Sequence, residues 1–220
     1  MSLVAVRDAA ERLGVSTRQV QNLVARGELT ALARGAIDSG SIDRFLAVRG
    51  ERRTRAWSPE TSWGALAVLS GLEASWMGGT QRSRLKARLR TMSATDLVER
   101  ARDRADSARY AGHSSVAERL RHAIVDTNSM RFRLGLADAN TVDGYIAVND
   151  LDDLERRFGL AHDTEGRITL RATAFPIDTI ARIADASTVL AALDLAGSLD
   201  VRERTAGLNA LTDALGKLRG

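Results

Sequence analysis

The first thirty residues combine two hydrophobic repeats with a glycine between them, and this pattern constrains the fold more than any other feature of the chain. Small or apolar residues recur at helical spacing on both sides of that glycine: Ala9, Ala10, Leu13, Val20, Leu23 and Val24. Gly14 is able to adopt the left-handed conformation that ends a helix, and Ser16 or Thr17 is able to cap the helix that follows. The spacing therefore predicts two short helices that pack together across a tight turn.

The second helix, predicted from Thr17 to Arg26, has a polar face opposite its apolar one. The hydrogen-bonding side chains of that face are Thr17, Arg18, Gln21, Asn22 and Arg26, with Ser16 just before them. Such side chains are suited to base edges and phosphate groups. We therefore predict that this helix contacts DNA and that Gly27 ends it.

A pair of short strands is expected next. Residues 29–33 and 34–37 predict two strands around a turn, with Arg34 as the only basic residue of the pair. The apolar residues after them predict a short helix that packs back on the first two helices: Ile42, Phe45 and Leu46. Residues 1–48 together are predicted to form a helix-turn-helix with a small wing.

This segment resembles the helix-turn-helix of the MerR and excisionase family. The resemblance lies in residues 8–20 and 25–29, and the module of residues 1–48 that it concerns is about a fifth of the chain. It implies that the second helix enters the major groove and that the wing touches the DNA backbone or the minor groove, in agreement with the general docking of such motifs. A helical hairpin of some other kind of protein is the alternative interpretation.

Positive charge is concentrated toward the N-terminal end. Residues 1–137 carry 23 Lys and Arg against 14 Asp and Glu, whereas residues 138–220 carry 9 against 14. Residues 49–61 have no hydrophobic period and hold four arginines, so we expect a basic linker there. Its candidates for phosphate contacts are Arg52, Arg53 and Arg55. Attraction to nucleic acid explains this distribution, and a GC-rich genome is the alternative explanation for the arginine content.

Residues 62–220 are predicted to form a larger, helix-rich α+β domain with a small sheet, so that the whole chain is mainly α. Helices are expected at about 59–72, 81–90, 93–101, 115–124, 151–158, 187–196 and 201–218. Strands are expected at 130–134, 141–146 and 166–172. Within this region we expect a buried pair between Arg204 and Asp194, and close helix packing at Ala206 and Gly207.

The sequence contains no set of residues that marks an enzyme. It has no HExxH, no phosphate-binding loop followed by Lys and Ser or Thr, no GxSxG and no cysteine. An acidic cluster, Asp150, Asp152 and Asp153, is explained by a helix N-terminus, with a metal site as the alternative. We predict no catalytic residues, no metal and no cofactor, and a pocket lined by convergent polar groups within residues 62–220 would favour an enzyme instead.

Basic residues alternate along the predicted helix at 81–90. They are Arg82, Arg84, Lys86, Arg88 and Arg90. At helical spacing they spread around much of the helix surface, which is typical of a solvated helix. A patch that touches DNA or RNA is the alternative.

The C-terminal region loosely resembles antitoxins of the AbiEi type, which accompany nucleotidyltransferase toxins. The resemblance extends over roughly residues 80–216 and lies in residues 143–146, 150–154, 168–171, 192–195 and 200–207. It implies an antitoxin that represses its own operon, with double-stranded DNA and a cognate toxin as partners and with a homodimer on palindromic DNA. An excisionase-like factor of a mobile element is the alternative.

Cellular location is predicted from what the chain lacks. The N-terminus has no charged region followed by an apolar one, and no apolar run approaches the roughly 18 residues of a membrane span. With no cysteine for disulfide bonds, these features predict a cytoplasmic protein that has no membrane partner.

Overall fold

The structure, a computed structural model, describes residues 3–25, 28–33, 35–49, 55–136, 141–198 and 200–220. In those ranges it contains twelve α-helices and eight strands, which form two small sheets. The chain is therefore mixed α/β with more helix than strand, as predicted. Four of the predicted DNA contacts lie outside the described residues: Arg26, Arg34, Arg52 and Arg53.

The N-terminal elements surround a small core of their own. They are β1 (Leu3–Ala5), α1 (Val6–Leu13), α2 (Thr17–Ala25), β2 (Ala31–Ala33), β3 (Ala36–Asp38) and α3 (Ser39–Arg49). The strands pair antiparallel in the order β1-β3-β2. Of the small and apolar residues that defined the two predicted helices, five are buried in this core: Ala9, Ala10, Leu13, Val20 and Leu23. The sixth, Val24, is half-buried.

The remaining elements form a helical layer on a second sheet. They are α4 (Pro59–Leu69), α5 (Gly79–Thr91), α6 (Ala94–Ala101), β4 (Asp106–Ala111), α7 (Ala117–Arg121), β5 (Val125–Asp126), α8 (Asn128–Arg133), β6 (Val142–Ala147), α9 (Leu151–Phe158), β7 (Ala161–His162), β8 (Ile168–Thr173), α10 (Ile177–Ala186), α11 (Val189–Ala196) and α12 (Val201–Arg219). Short 3₁₀ helices lie at Arg102–Arg104, Ser114–Val116 and Val148–Asp150.

The second sheet has two faces of different character. Its strand order is β5-β6-β8-β4-β7, and β6 and β8 are parallel while the other pairs are antiparallel. One face is apolar and shares a buried cluster with residues of α7 and α9: Tyr110, Leu120, Val142, Ile146, Leu154, Phe158, Ile168, Leu170 and Ala172. The alternate positions of the same strands point to the opposite face and are mostly polar.

The helical layer is centred on α11, in which every residue is buried. The helix α12 packs directly on it, and the close approach depends on Gly207, where an added Cβ would lie 2.4 Å from the Ala196 nitrogen and 2.5 Å from the Ala192 oxygen. The structure therefore confirms the predicted close packing at Gly207.

Several predicted elements of this part are wrong or were not foreseen. The strand expected at 130–134 is the helix α8, because the side chains turned toward the protein, Arg131 and Leu134, are three residues apart, as on one face of a helix, while Phe132 is 73% exposed. The helix expected at 115–124 is a 3₁₀ turn followed by α7 alone, and the helix expected at 59–72 ends at Leu69. The elements β4 and α10 have no counterpart in the prediction.

Among the described residues, no helix combines the length and the hydrophobicity that crossing a membrane requires.

Candidate functional site

The exposed side of α2 holds four of the predicted DNA-binding side chains, and we call it the recognition face. It consists of Thr17, Arg18, Gln21 and Asn22, all exposed. Val20 and Leu23 on the other side of α2 are fully buried. Within the described part of the chain, the recognition-face side chains have no hydrogen bond or ion pair, so their donors and acceptors are available to a partner.

The turn before α2 explains how this face is held. Gly14 has a φ of +60°, and its N–H donates to the Glu11 carbonyl at 3.0 Å, which ends α1. The Ser16 hydroxyl accepts a hydrogen bond from the Gln19 N–H at 3.2 Å. Ser16 is therefore the cap of α2, one of the two candidates predicted, and because its hydroxyl only accepts in this contact, its O–H is still able to donate to a phosphate as predicted.

A salt bridge fixes α1 against α3. The Arg12 Nη2 and Asp43 Oδ1 atoms are 2.7 Å apart. Because α2 packs on α1, this contact helps to set the orientation of the recognition face, although an exposed pair of this kind contributes little stability.

Arg55 is exposed and lies next to a cluster of aromatic and basic side chains. Two residues later, Trp57 is buried, and its backbone N–H donates to the Arg100 carbonyl at 2.8 Å. The guanidinium groups of Arg88 and Arg100 lie 5.7 and 5.8 Å from the centre of the Trp57 ring. The C-terminal end of the predicted linker is thus attached to α5 and α6, with Arg55 at the surface.

The basic side chains of α5 are divided between two roles. Arg82 pairs with Glu73 at 2.9 Å, and the Arg90 Nε donates to the Leu218 carbonyl at 3.3 Å. Arg84 and Lys86 are exposed. Part of the alternating basic sequence therefore ties α5 to its neighbours, and the rest faces solvent.

A second candidate site, which the sequence did not predict, lies over the polar face of the larger sheet. It is a cleft of about 500 Å³, and we call it the polar cleft. The strands β4, β6 and β8 contribute Ser107, Arg109, Asp143, Thr169 and Arg171 to it. Arg167 lies just before β8, and Arg104, Arg131, Asp194 and Glu203 come from other elements. Such a volume lies in the range of small-molecule sites.

Asp143 is one centre of the charged groups in the cleft. It accepts hydrogen bonds from Arg171 on the adjacent strand β8, and Arg131 Nη1 lies 3.4 Å from its Oδ2 atom. Arg131 also pairs with Glu203 at the start of α12. These contacts join the sheet, α8 and α12 through charge-assisted hydrogen bonds.

Asp194 of α11 is the other centre. Arg104 pairs with it, the Tyr145 hydroxyl donates to its Oδ1 atom at 2.6 Å, and Arg171 Nε lies 3.3 Å from the same atom. The predicted pair of Asp194 with Arg204 is wrong, because Arg204 donates to the Ser198 carbonyl at 3.2 Å. The side chain that Asp194 uses instead, Arg104, is 90 residues away in sequence.

Burial and neighbouring charges together shift the pKa values of these groups. It lowers the pKa of the Arg171 guanidinium, but the neighbouring Asp143 and Asp194 carboxylates outweigh it, and the net pKa is raised. Burial raises the pKa of the Tyr145 hydroxyl, so this group stays protonated and donates a hydrogen bond to Asp194. We call these paired groups (Arg104, Arg131, Asp143, Tyr145, Arg171, Asp194 and Glu203) the cleft network.

The cleft network unites segments that are far apart in sequence. It takes Asp143, Tyr145, Arg171, Asp194 and Glu203 from residues 143–146, 168–171, 192–195 and 200–207, four of the five C-terminal segments singled out in the sequence. Convergent polar groups in a pocket are also the feature that would favour an enzyme. In this cleft, however, Asp143, Asp194 and Glu203 are each paired with arginine, which favours a structural role for them over proton transfer.

The acidic cluster singled out in the sequence lies elsewhere. Asp152 and Asp153 are in the first turn of α9, and Asp150 directly precedes that helix. Asp153 also pairs with Arg156 one turn later. This placement is the one expected from carboxylates that favour a helix N-terminus.

Comparison of the chain with protein-family models, with curated proteins and with solved structures finds no match.

Proposed function

We propose that the protein is a DNA-binding transcriptional regulator and that residues 1–48 form a winged helix-turn-helix. One observation carries the proposal: the recognition face of α2 is exposed and has no partner in the described part of the chain, while the opposite side of the helix is in the core. In this proposal α2 lies in the major groove, and Arg18, Gln21 and Asn22 contact base edges.

The flanking elements supply the contacts to the DNA backbone. The hairpin of β2 and β3 is the wing, and the exposed Arg55 lies at the end of the basic linker. Together with Arg26, Arg34, Arg52 and Arg53, Arg55 is proposed to bind phosphate groups, which fix the position of the protein on the duplex without reading the sequence.

We propose further that residues 62–220 form the interaction domain of an antitoxin, which represses its own operon and counteracts a nucleotidyltransferase-type toxin. The support is the resemblance of five segments, four of which contribute side chains to the cleft network. A homodimer would match a palindromic operator. An excisionase-like factor of a mobile element is the alternative, because the N-terminal resemblance includes that family.

The DNA-binding proposal is tested by gel-shift titration with the DNA upstream of the protein's own gene. We expect the double variant Arg18→Ala with Asn22→Ala to lose sequence-specific binding, because each good base contact contributes about 1–3 kcal/mol of discrimination. The matched control is Arg182→Ala with Asn209→Ala, which removes the same two exposed residue types from α10 and α12. Equal affinity of the two double variants would refute the proposal.

The antitoxin proposal is tested by co-expression with the adjacent gene. If that gene encodes a toxin, the full-length chain should restore growth, and the recognition-face double variant should do so as well if neutralisation resides in residues 62–220. Failure of the wild-type chain to restore growth, together with an integrase gene next to it and bending of the DNA in a circular-permutation gel shift, would favour the excisionase alternative.

A further inference from the structure

The outer part of the polar cleft contains cations that the cleft network does not neutralise. Arg109 of β4 is half-buried, and Arg167 directly precedes β8. Within the described residues, neither guanidinium has a hydrogen bond or an ion pair. Arg167, unlike Arg109, is exposed. Both differ from Arg104, Arg131 and Arg171 of the cleft network, because each of those three is paired.

Sheet register brings these two arginines close together. Arg109 lies directly opposite Thr169 in the antiparallel pair of β4 and β8. Arg167 is two residues before Thr169, so it is on the same face and diagonal to Arg109, at a Cβ separation of about 7–8 Å. Like charges at such positions repel each other, and within the described residues neither guanidinium is neutralised by an ion pair.

Two hydroxyl groups complete the arrangement. Ser107 and Thr169 are on the cleft side of the same two strands, and neither hydroxyl has a hydrogen-bond partner within the described part of the chain. Two guanidinium groups and two hydroxyl groups thus face the same space and are all able to donate hydrogen bonds.

Among the described residues, none of the carboxylates that line the cleft forms an ion pair with Arg109 or Arg167. Asp143 and Asp194 are held by Arg104, Arg131 and Arg171. Five other acidic residues border the cleft: Glu28 of the N-terminal part, Glu99 and Asp103, which both lie near Arg102, Asp200, which caps α12, and Glu203, which pairs with Arg131. The unpaired donors therefore form a local positive area in a cleft whose lining holds six guanidinium groups and seven carboxylates in all.

We infer that the polar cleft binds the phosphate group of a phosphorylated small molecule, with Ser107, Arg109, Arg167 and Thr169 as its ligands. Phosphate is the anion that fits best, because its three terminal oxygens and double charge match several donors and two guanidinium groups. The volume of about 500 Å³ leaves room for a ligand of roughly mononucleotide size beyond the phosphate. The lining includes Glu28 and Phe45 of the N-terminal part but none of the four recognition-face side chains, and the inference does not rest on the DNA-binding proposal.

Calorimetric titration of the full-length protein tests this inference with four probes: inorganic phosphate, adenosine 5′-monophosphate, adenosine and succinate. We expect phosphate and the monophosphate to bind and adenosine and succinate to bind at least tenfold more weakly. In the double variant Arg109→Gln with Arg167→Gln, phosphate affinity should fall at least tenfold. The control is Arg133→Gln with Arg182→Gln, which changes two exposed arginines outside the cleft and should bind like the wild type.

Thermal denaturation without ligand separates binding from folding. Because Arg109 and Arg167 repel each other, the cleft double variant should melt at the same temperature as the wild type or higher, and added phosphate should raise the melting temperature of the wild type only. Absence of phosphate binding, equal binding of succinate, or equal phosphate affinity of the cleft variant would overturn the inference. If none of the four probes binds and the Arg109→Gln with Arg167→Gln variant loses DNA affinity, the inference is wrong and these side chains bind nucleic acid instead.

Discussion

Arginine has opposite roles in the two parts of this molecule. On the recognition face, Arg18 is exposed and has no partner in the described part of the chain. In the cleft network, Arg104 and Arg171 are buried among carboxylates and join a helix to a sheet. The residue type and the net charge of the chain therefore do not reveal the role of an arginine. Its role depends on whether the fold places a carboxylate next to it.

The largest effect should come from breaking the cleft network. Asp194→Ala leaves the guanidinium groups of Arg104 and Arg171 buried without one of their partners, so we expect the free energy of unfolding to fall by about 3–5 kcal/mol. Urea denaturation followed by tryptophan fluorescence measures it, because all three tryptophans lie between residues 57 and 76. The control Asp152→Ala, at an exposed position of α9, should cost no more than about 1 kcal/mol. Equal losses in the two variants would show that the network does not stabilise the fold.

A smaller loss is expected where α12 approaches α11, since that contact positions Asp194. Gly207→Ala places a Cβ against backbone atoms of α11, and the resulting overpacking should cost about 1–3 kcal/mol. Gly216→Ala is the matched control on the same helix, because nothing lies within 4 Å of the added Cβ. The control should stabilise the protein by about 0.5–1 kcal/mol, and a stabilised Gly207→Ala would contradict the close packing.

Removal of the Ser16 hydroxyl should lower stability by an amount between those expected for the cleft network and for the recognition face. Because its hydroxyl caps α2, Ser16→Ala should lower the stability of the N-terminal part by about 1 kcal/mol. Far-UV circular dichroism during urea denaturation measures this loss. Ser16→Thr is the control that keeps the hydroxyl and most of the stability. Loss of DNA binding in Ser16→Ala without a loss of stability would show that the Ser16 hydroxyl acts as a DNA contact and not as a stabilising cap.

The recognition face should contribute least to stability. Arg18→Ala with Asn22→Ala removes two exposed side chains that have no partner, so the free energy of unfolding should stay within about 0.5 kcal/mol of the wild-type value. Circular dichroism under the same conditions measures it. A loss above about 1 kcal/mol would indicate that these side chains support the fold.

Local patterns in the sequence predicted local structure well. Gly14 and the spacing of Leu13, Val20 and Leu23 were sufficient for α1, α2 and the turn between them, because helix ends and apolar faces depend on neighbouring residues. The short strand predicted at 130–134 failed because Met130 and Leu134 fit a helical period as well as an alternating one.

The cleft network could not be predicted from local patterns, because its members are far apart in sequence. Asp194 was assigned to Arg204, which is close in sequence, whereas its partners Arg104, Tyr145 and Arg171 come from elements that only the tertiary fold brings to α11. The segments that form the network were noticed through a resemblance, but nothing in their spacing indicated that their charged residues meet. Arg109 and Arg167 likewise became a pair only through the register of β4 and β8.

The most direct test compares DNA affinity between a variant of each region. Gel-shift titrations with the protein's own upstream DNA should show at least a tenfold loss of specific affinity for Arg18→Ala with Asn22→Ala, and no loss for Arg109→Gln with Arg167→Gln. Both variants should be as stable as the wild type. Unchanged affinity in the first variant, or an equal loss in both, would contradict the account, because the exposed face of α2 would then not be the surface that reads DNA.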